Sequence, residues 1–327
     1  MALVWALAGL GLVILLLAGD ALVKGAVNLS LRVGIPALIV SLTIVAFGTS
    51  APELLISVSA IKDGVPGLAL GNVVGSNTAN ILLVLGIPAM ISVLHTSHCD
   101  TRKTYMHMLG ASVLFIALAF RGAFDLISAL ILLAALSAML TDAFLSAKRH
   151  RAAMIAAGAE VEAAEEDELL EDLEGVDPDM PWWKIGVFLV LGLVGLPLGA
   201  DLLVDNATII AKTFGVSDTV IGLTLVALGT SLPELATTVM AALRKQADVA
   251  LGNVIGSNMF NLLGIIGVAA LVGTIPVDHA FLTFDLWVML GASLLIFPFV
   301  FLKRDITRLW GIGLTVLYLL YVIVVLV

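Results

Sequence analysis

One cysteine stands among 327 residues, so no internal disulfide can form, and nothing around Cys99 has the CxxC spacing of a zinc or redox site. Histidine is almost as scarce: His95, His98, His107, His150 and His279 are scattered along the chain, and all lie outside the two motifs described below. That removes the Ser/His pairs and His-rich metal sites an intramembrane hydrolase would use, and no enzyme activity or cofactor is expected. Charge is sparse too, 13% of residues against ~25% in soluble domains, and no EF-hand spacing occurs. With 61% of the residues hydrophobic, a soluble fold could not hide the apolar surface.

The abundant feature is long apolar runs, which recur at about the ~20 residues a helix needs to cross a bilayer. Hydropathy predicts spans near 2–23, 36–61, 67–93, 104–120, 124–146, 184–206, 217–243, 249–274, 280–302 and 307–327. Met1–Ala18 lacks the basic start and small-residue cleavage pattern of a signal peptide, so it is read as part of the first span. The expected fold is an all-α integral membrane protein of about ten transmembrane helices: a five-helix unit over 1–146, a linker over 147–183, and a second unit over 184–327. Within the linker, Glu160–Asp179 holds 11 of the 25 acidic residues and no Lys or Arg, the composition of a solvated, partly disordered segment.

If the N-terminus is external, 13 of the 16 Lys and Arg fall on cytoplasmic segments and only Lys62, Arg121 and Lys212 outside. This positive-inside bias places both termini outside and the linker in the cytoplasm, in the cell (inner) membrane. The halves also repeat. A constant offset of 181 aligns Leu42–Gly86 with Leu223–Gly267 without a gap, and 23 of the 45 positions are identical. With an odd number of spans per unit, the second copy enters from the opposite face, the inverted-repeat plan of secondary transporters.

The repeated residues carry the chemistry. Gly48-Thr49-Ser50-Ala51-Pro52-Glu53 recurs as Gly229-Thr230-Ser231-Leu232-Pro233-Glu234, each inside an otherwise uncharged span. A central carboxylate is expensive in a membrane, about 2.5–3.5 kcal/mol for Asp on insertion scales, and two beside the same helix-breaking motif point to an ion path. Pro52 and Pro233 should kink their helices, with the backbone unwinding around Ala46–Thr49 and Ala227–Thr230. The second motif, Gly-Asn-Val-x-Gly-Ser-Asn-x-x-Asn, starts at Gly71 and again at Gly252. Helical spacing puts Asn72, Ser76 and Asn80 on one face, with Asn253, Ser257 and Asn261 as their counterparts. Asn77 and Asn258 point away from that stripe and are either ligands or helix-packing contacts. Carboxylate, hydroxyl, amide and carbonyl oxygens without Cys or His suit a hard cation such as Ca²⁺, with Na⁺ competing for the same anionic site.

These paired motifs resemble the two alpha repeats of the calcium/cation antiporters, and most closely those of bacterial sodium/calcium exchangers. The resemblance implies a central site where Glu53, Glu234, Thr49 and Thr230 hold Ca²⁺. It implies sodium ligands at Ala46, Ser50, Ser76, Ala227, Ser231 and Ser257, with Asn80 and its counterpart Asn261 near the centre. Some members, notably the potassium-dependent branch, have Asp at the position of Asn261, so the pocket here is one charge poorer and potassium co-transport is not expected. The implied activity is exchange of Ca²⁺ for Na⁺ by alternating access, with the first and sixth spans sliding against the rest. A Ca²⁺/H⁺ antiporter using the same residues is the alternative; a channel with acidic rings fits two inverted halves less well. Expected partners are the bilayer and inorganic cations, with no nucleic acid and no obligatory protein partner. Asp20 and Asp201, also matched at the 181 offset, lie near span ends and are read as interfacial, and His95, His98, Cys99 and Asp100 as an interfacial loop.

Overall fold

A helix in lipid must satisfy its own backbone, and this chain is helical over nearly all the residues described in a computed structural model: 1–156, 177, 179–215 and 227–326. The helices are α1 (Ala2–Val33), α2 (Ala37–Thr49), α3 (Ala51–Lys62), α4 (Pro66–Ile91), α5 (Arg102–Ala119), α6 (Leu126–Ala156), α7 (Trp182–Thr213), α8 (Ala227–Gly229), α9 (Leu232–Leu243), α10 (Ala247–Val272), α11 (Phe281–Phe301) and α12 (Arg308–Leu326). Among the described residues 7 helices are long and apolar enough to cross a membrane, and 8 if the bent pair α2 and α3 counts as one span. The expected span at 104–120 is α5, which opens on Arg102 and Lys103; that at 217–243 contains α8 and α9 but lies partly outside the described residues.

Burial inverts the soluble pattern. The helices carrying the polar second motif, α4 and α10, bury 72% and 83% of their most apolar window, whereas α1, α7 and α12 bury 28%, 22% and 17%. Polar residues therefore occupy the centre, and Leu- and Val-rich helices turn their side chains outward to lipid.

Three expected boundaries move. Helix α1 runs ten residues past its expected end and stops where Gly34 adopts φ 68°, its N–H capping Leu31 and Ser30 carbonyls. Helix α7 runs to Thr213 rather than 206, and α6 runs to Ala156, into the expected linker, through an Ala-rich stretch that favours helix. The acidic segment from 157 to 176 lies outside the described residues.

Two backbone clamps tie the loops. Strands β1 (Ala123–Phe124) and β2 (Ile275–Pro276) pair antiparallel, and Leu94 bridges Ile306 antiparallel. The bridge is reinforced by Thr96 Oγ1 donating to Arg304 O at 2.7 Å and by Asp305, which accepts from Ser97 N at 3.0 Å and meets His95 Nδ1 at 2.9 Å. Those contacts engage His95 with Asp305, and among the described residues no three His, Cys, Asp or Glu side chains converge to hold a metal. Asp125 caps α6: its Oδ1 accepts from the Ser128 N–H at 2.9 Å, and its Oδ2 accepts from Arg121 Nη2 at 3.0 Å.

Helices α1 and α7 lie side by side. A Cβ on Gly11 would come 2.6 Å from Leu203 N, and one on Gly199 2.8 Å from Leu15 N, so only glycine permits this spacing. Leu15, Ala18, Leu22, Leu196 and Ala200 form a small apolar cluster of their own with Val40, Val45 and Ala236, separate from the main core.

Candidate functional site

The breaks in the first motif are sharper than unwinding. Ala46–Thr49 remains helical, only Ser50 leaves helical geometry (φ −86°, ψ 6°), and α3 restarts at a 43° angle. The second copy breaks at the corresponding place over two residues: Ala227–Gly229 is helical, Thr230 and Ser231 are a turn, and Ser231 lies at φ −88°, ψ 2°. The reason is the placement of Pro52 and Pro233 in the first turn of the restarted helices, where a missing N–H leaves nothing unpaired. Glu53 and Glu234 thereby sit in the first turns of α3 and α9, beside the positive end of each helix dipole. The second motif distorts differently: Asn80 opens a π-turn (Asn80–Val84) in α4 and Asn261 lies in another (Phe260–Ile265) in α10. A third, Ser41–Val45, precedes Ala46. Such turns widen a helix where a side chain must be redirected, and they concentrate at functional sites.

The two halves interlock. Helix α2 lies against α10 so closely that a Cβ on Gly256 would be 2.5 Å from Leu42 O, and Ser41 Oγ donates to Val249 O at 2.7 Å. This brings the first motif of one half onto the second motif of the other. Thr49 Oγ1 donates to Asn253 Oδ1 at 3.3 Å and lies 3.4 Å from Ser257 Oγ. Ser50 Oγ donates to Glu234 Oε1 at 3.0 Å, and Ser257 Oγ to the same oxygen at 3.4 Å. From the other side, Thr230 Oγ1 donates to Asn72 Oδ1 at 3.4 Å.

The first asparagine of each stripe also grips the glutamate helix of its own half. Asn72 Nδ2 donates to Glu53 O at 3.4 Å and Ser57 Oγ at 3.3 Å; Asn253 Nδ2 donates to Glu234 O at 3.3 Å and Thr238 Oγ1 at 3.2 Å. With its nitrogen committed there, each amide turns its oxygen to the threonine of the opposite half. Asn258, expected off the stripe, crosses between α4 and α10: its Oδ1 accepts from Asn80 Nδ2 at 3.0 Å and its Nδ2 donates to Asn77 O at 3.3 Å. That leaves Asn80 Oδ1 as the free end of its amide.

Glu53, Glu234, Thr49, Ser50, Ser76, Asn80, Ser231, Ser257, Asn261 and Ala46 are all buried, as is Thr230. Ala227 lies in α8, but its side chain is outside the described residues. The Ala46 carbonyl accepts from Ser50 N at 3.1 Å and from Thr49 Oγ1 at 3.3 Å. Among the described residues, buried side-chain atoms with no partner include both Glu53 oxygens, Glu234 Oε2, Ser76 Oγ, Ser231 Oγ, Asn80 Oδ1 and both amide atoms of Asn261. An unpaired buried carboxylate costs several kcal/mol, so this cluster demands a cation or a proton. Its donors are oxygens, the chemistry of a hard cation site.

Beside the breaks, a cavity of about 110 Å³ is lined by Pro52, Pro197, Asp201, Asp205, Thr230 and Pro233. Ser57, Thr238 and Asp205 are the polar residues sequence reading passed over. Ser57 and Thr238 carry a usable signal, hydroxyls at the same offset one turn beyond each glutamate.

Comparison with known proteins accords with this geometry. The family described as sodium/calcium exchanger protein matches residues 3–147 and 184–327. The chain is 32% identical over 341 residues to the sodium/calcium exchanger MaX1 of Methanosarcina acetivorans, covering 96% of each. It is 34% identical over 297 residues to the inner membrane protein YrbG of Escherichia coli, covering 90% of this chain and 88% of that one. Among solved structures, the sodium-calcium exchanger NCX_Mj soaked with zero Na⁺ and Ca²⁺ superposes with a TM-score of 0.81 at 30% identity, covering 99% of both chains.

Proposed function

This chain belongs to the sodium/calcium exchanger protein family, and on that premise we propose that it exchanges Ca²⁺ for Na⁺ at one central site by alternating access. It is a helical membrane protein of the cation antiporter class. The observation that carries the finer reading is the pair of fully buried glutamates on broken helices, bonded across the two halves through Ser50 and Glu234. Two carboxylates balance the charge of one Ca²⁺, and the surrounding hydroxyl and amide oxygens suit Na⁺ once Ca²⁺ has left. One anionic site that both ions need, and that neither can share, couples their movements.

In this reading Glu53, Glu234, Thr49 and Thr230 hold Ca²⁺, while Ala46, Ser50, Ser76, Ala227, Ser231 and Ser257 supply Na⁺, with Asn80 and Asn261 at the centre. The chain is two inverted five-helix units, 1–146 and 184–327, about the linker 147–183. Three observations support that organisation. The family match falls in two stretches, 3–147 and 184–327. The breaks and the π-turns of the second motif recur at corresponding residues. The Phe124↔Ile275 pair and the Leu94↔Ile306 bridge are related by the same offset to within one residue, with the order of the copies exchanged. The positive-inside bias puts the termini outside the cell membrane and the linker in the cytoplasm. The proposal needs no cofactor, enzymatic step, nucleic acid or obligatory protein partner.

The test is uptake of radiolabelled Ca²⁺ into proteoliposomes loaded with sodium, potassium or choline, with and without a pH gradient. Uptake that requires internal sodium is expected. Uptake that follows the proton gradient alone would replace this reading with Ca²⁺/H⁺ exchange at the same glutamates.

A further inference from the structure

The two mouths of the site differ at corresponding residues. On one face, Asp20 of α1 is held by Arg244 at the end of α9: Arg244 Nε donates to Asp20 Oδ1 at 2.6 Å and Nη2 lies 2.5 Å from it. Lys24 Nζ reaches the other Asp20 oxygen at 3.1 Å. The pair is mostly sheltered, 12% and 20% exposed, so water screens it little. Beneath it α1 rests on α9, where a Cβ on Gly19 would be 3.0 Å from Ala236 O.

Adding 181 to each α1 residue, and subtracting it from Arg244, gives the opposite face. Asp20 becomes Asp201, but Lys24 becomes Asp205, Gly19 becomes Ala200, and Arg244 becomes Asp63. There α7 does not close on α3: Ala200, Asp201 and Asp205 line the cavity that reaches Thr230. One mouth is shut and ion-paired; its counterpart is open and acidic.

An inverted repeat reaches its other state by exchanging the conformations of its two copies. That exchange would open a cavity between α1 and α9 and lay α7 along α3, separating Asp20 from Arg244 and bringing Asp201 and Asp205 toward Asp63. The first change loses an attraction and the second adds a repulsion.

We propose that the Asp20–Arg244 ion pair is a latch that biases the empty protein toward the state open at the Asp63 and Asp201 face. The inference rests on the alternating-access reading above, but not on which ions are exchanged. The same logic makes Asp63 the missing half of a second latch.

The experiment reads conformation without transport. In a Cys99→Ala background, Val204→Cys, at a half-buried residue that lines the cavity, is labelled with a membrane-impermeant maleimide in oriented vesicles free of Na⁺ and Ca²⁺. Arg244→Gln should slow labelling by about fivefold, Asp63→Arg should slow it by a similar factor, and the exchange Asp20→Arg with Arg244→Asp should restore it. Each protein is first shown monodisperse and thermally intact. If Arg244→Gln fails that check, Asp63→Arg, at an exposed residue, decides alone. Unchanged labelling in folded Asp63→Arg or Arg244→Gln overturns the latch, even in a working Na⁺/Ca²⁺ exchanger. Slowed labelling in a protein that proves to exchange protons leaves the latch standing and overturns only the choice of ion.

Discussion

Ser50 donates its hydroxyl to Glu234 Oε1 at 3.0 Å, whereas among the described residues the hydroxyl of its counterpart in the second half, Ser231, has no partner, and neither carboxylate oxygen of Glu53 has one. The same holds on the helices of the second motif: Ser257 Oγ donates to Glu234, and among the described residues Ser76 Oγ has no partner. Identical residues thus make two unlike half-sites, one carboxylate held by protein hydroxyls and one bare.

The asymmetry predicts that Ser50→Ala and Ser231→Ala differ without ions. A hydrogen bond to a charged group contributes about 1.5–3 kcal/mol, and Ser50→Ala should lower the unfolding temperature in Na⁺- and Ca²⁺-free detergent while Ser231→Ala leaves it nearly unchanged. Scanning calorimetry measures both; equal shifts would mean the two half-sites are equivalent in solution.

Charge at the centre is the second test. Glu53→Gln and Glu234→Gln keep the volume and remove the charge, so each should reduce Ca²⁺ transport to background while the protein remains monodisperse. Retained uptake in either variant would remove that glutamate from the site.

Asn261 is buried with neither amide atom partnered among the described residues, and the resemblance to the calcium/cation antiporters implies Asp at this position in the potassium-dependent branch. Asn261→Asp should therefore raise the negative charge of the pocket and make Ca²⁺ uptake respond to potassium. Ion dependence identical to that of the unaltered protein would place residue 261 outside the coordinating shell.

Acid should loosen the loop clamp. Burial pushes the Asp305 carboxyl up, but hydrogen bonds from Ser97 and the His95 ring outweigh it and hold it below its ordinary value. A depressed carboxyl stabilises the fold above its unfolded value and loses that contribution as pH falls through the folded one. Unfolding temperature should thus drop more steeply as pH falls below about 5 in the unaltered protein than in Asp305→Asn.

Much of this site is legible in the chain because it is written twice. Glu53 and Glu234, the prolines before them and the Asn-Ser-Asn stripes stand at one offset, and chance does not align such residues in apolar helices. What the chain hides is contact chosen by packing. The hydroxyls of Ser57 and Thr238 stand at the shared offset, but only the fold reveals that each receives an asparagine. Arg244 and Asp20 meet across 224 residues, and each alone reads as an interfacial charge. The inequality of Ser50 and Ser231 has no trace in sequence, since the residues are the same. The break is confined to Ser50, where proline suggested a longer unwound stretch, because proline in a helix's first turn begins a helix as readily as it ends one.

The loop clamps have a mechanical consequence. The loops between α4 and α5 and between α11 and α12 are stitched to each other by the Leu94 bridge, and those after α5 and α10 by β1 and β2. Among the described residues helix α1 has no strand partner; packing, the Asp20 ion pair, glycine-lined contact with α7, and hydrogen bonds of Asn28 and Arg32 to the backbone of Asp177 and Met180 hold it. Pulled from its N-terminus, the chain should give up α1 at low force as one intact rod, and the stitched helices should yield only later, strand by strand.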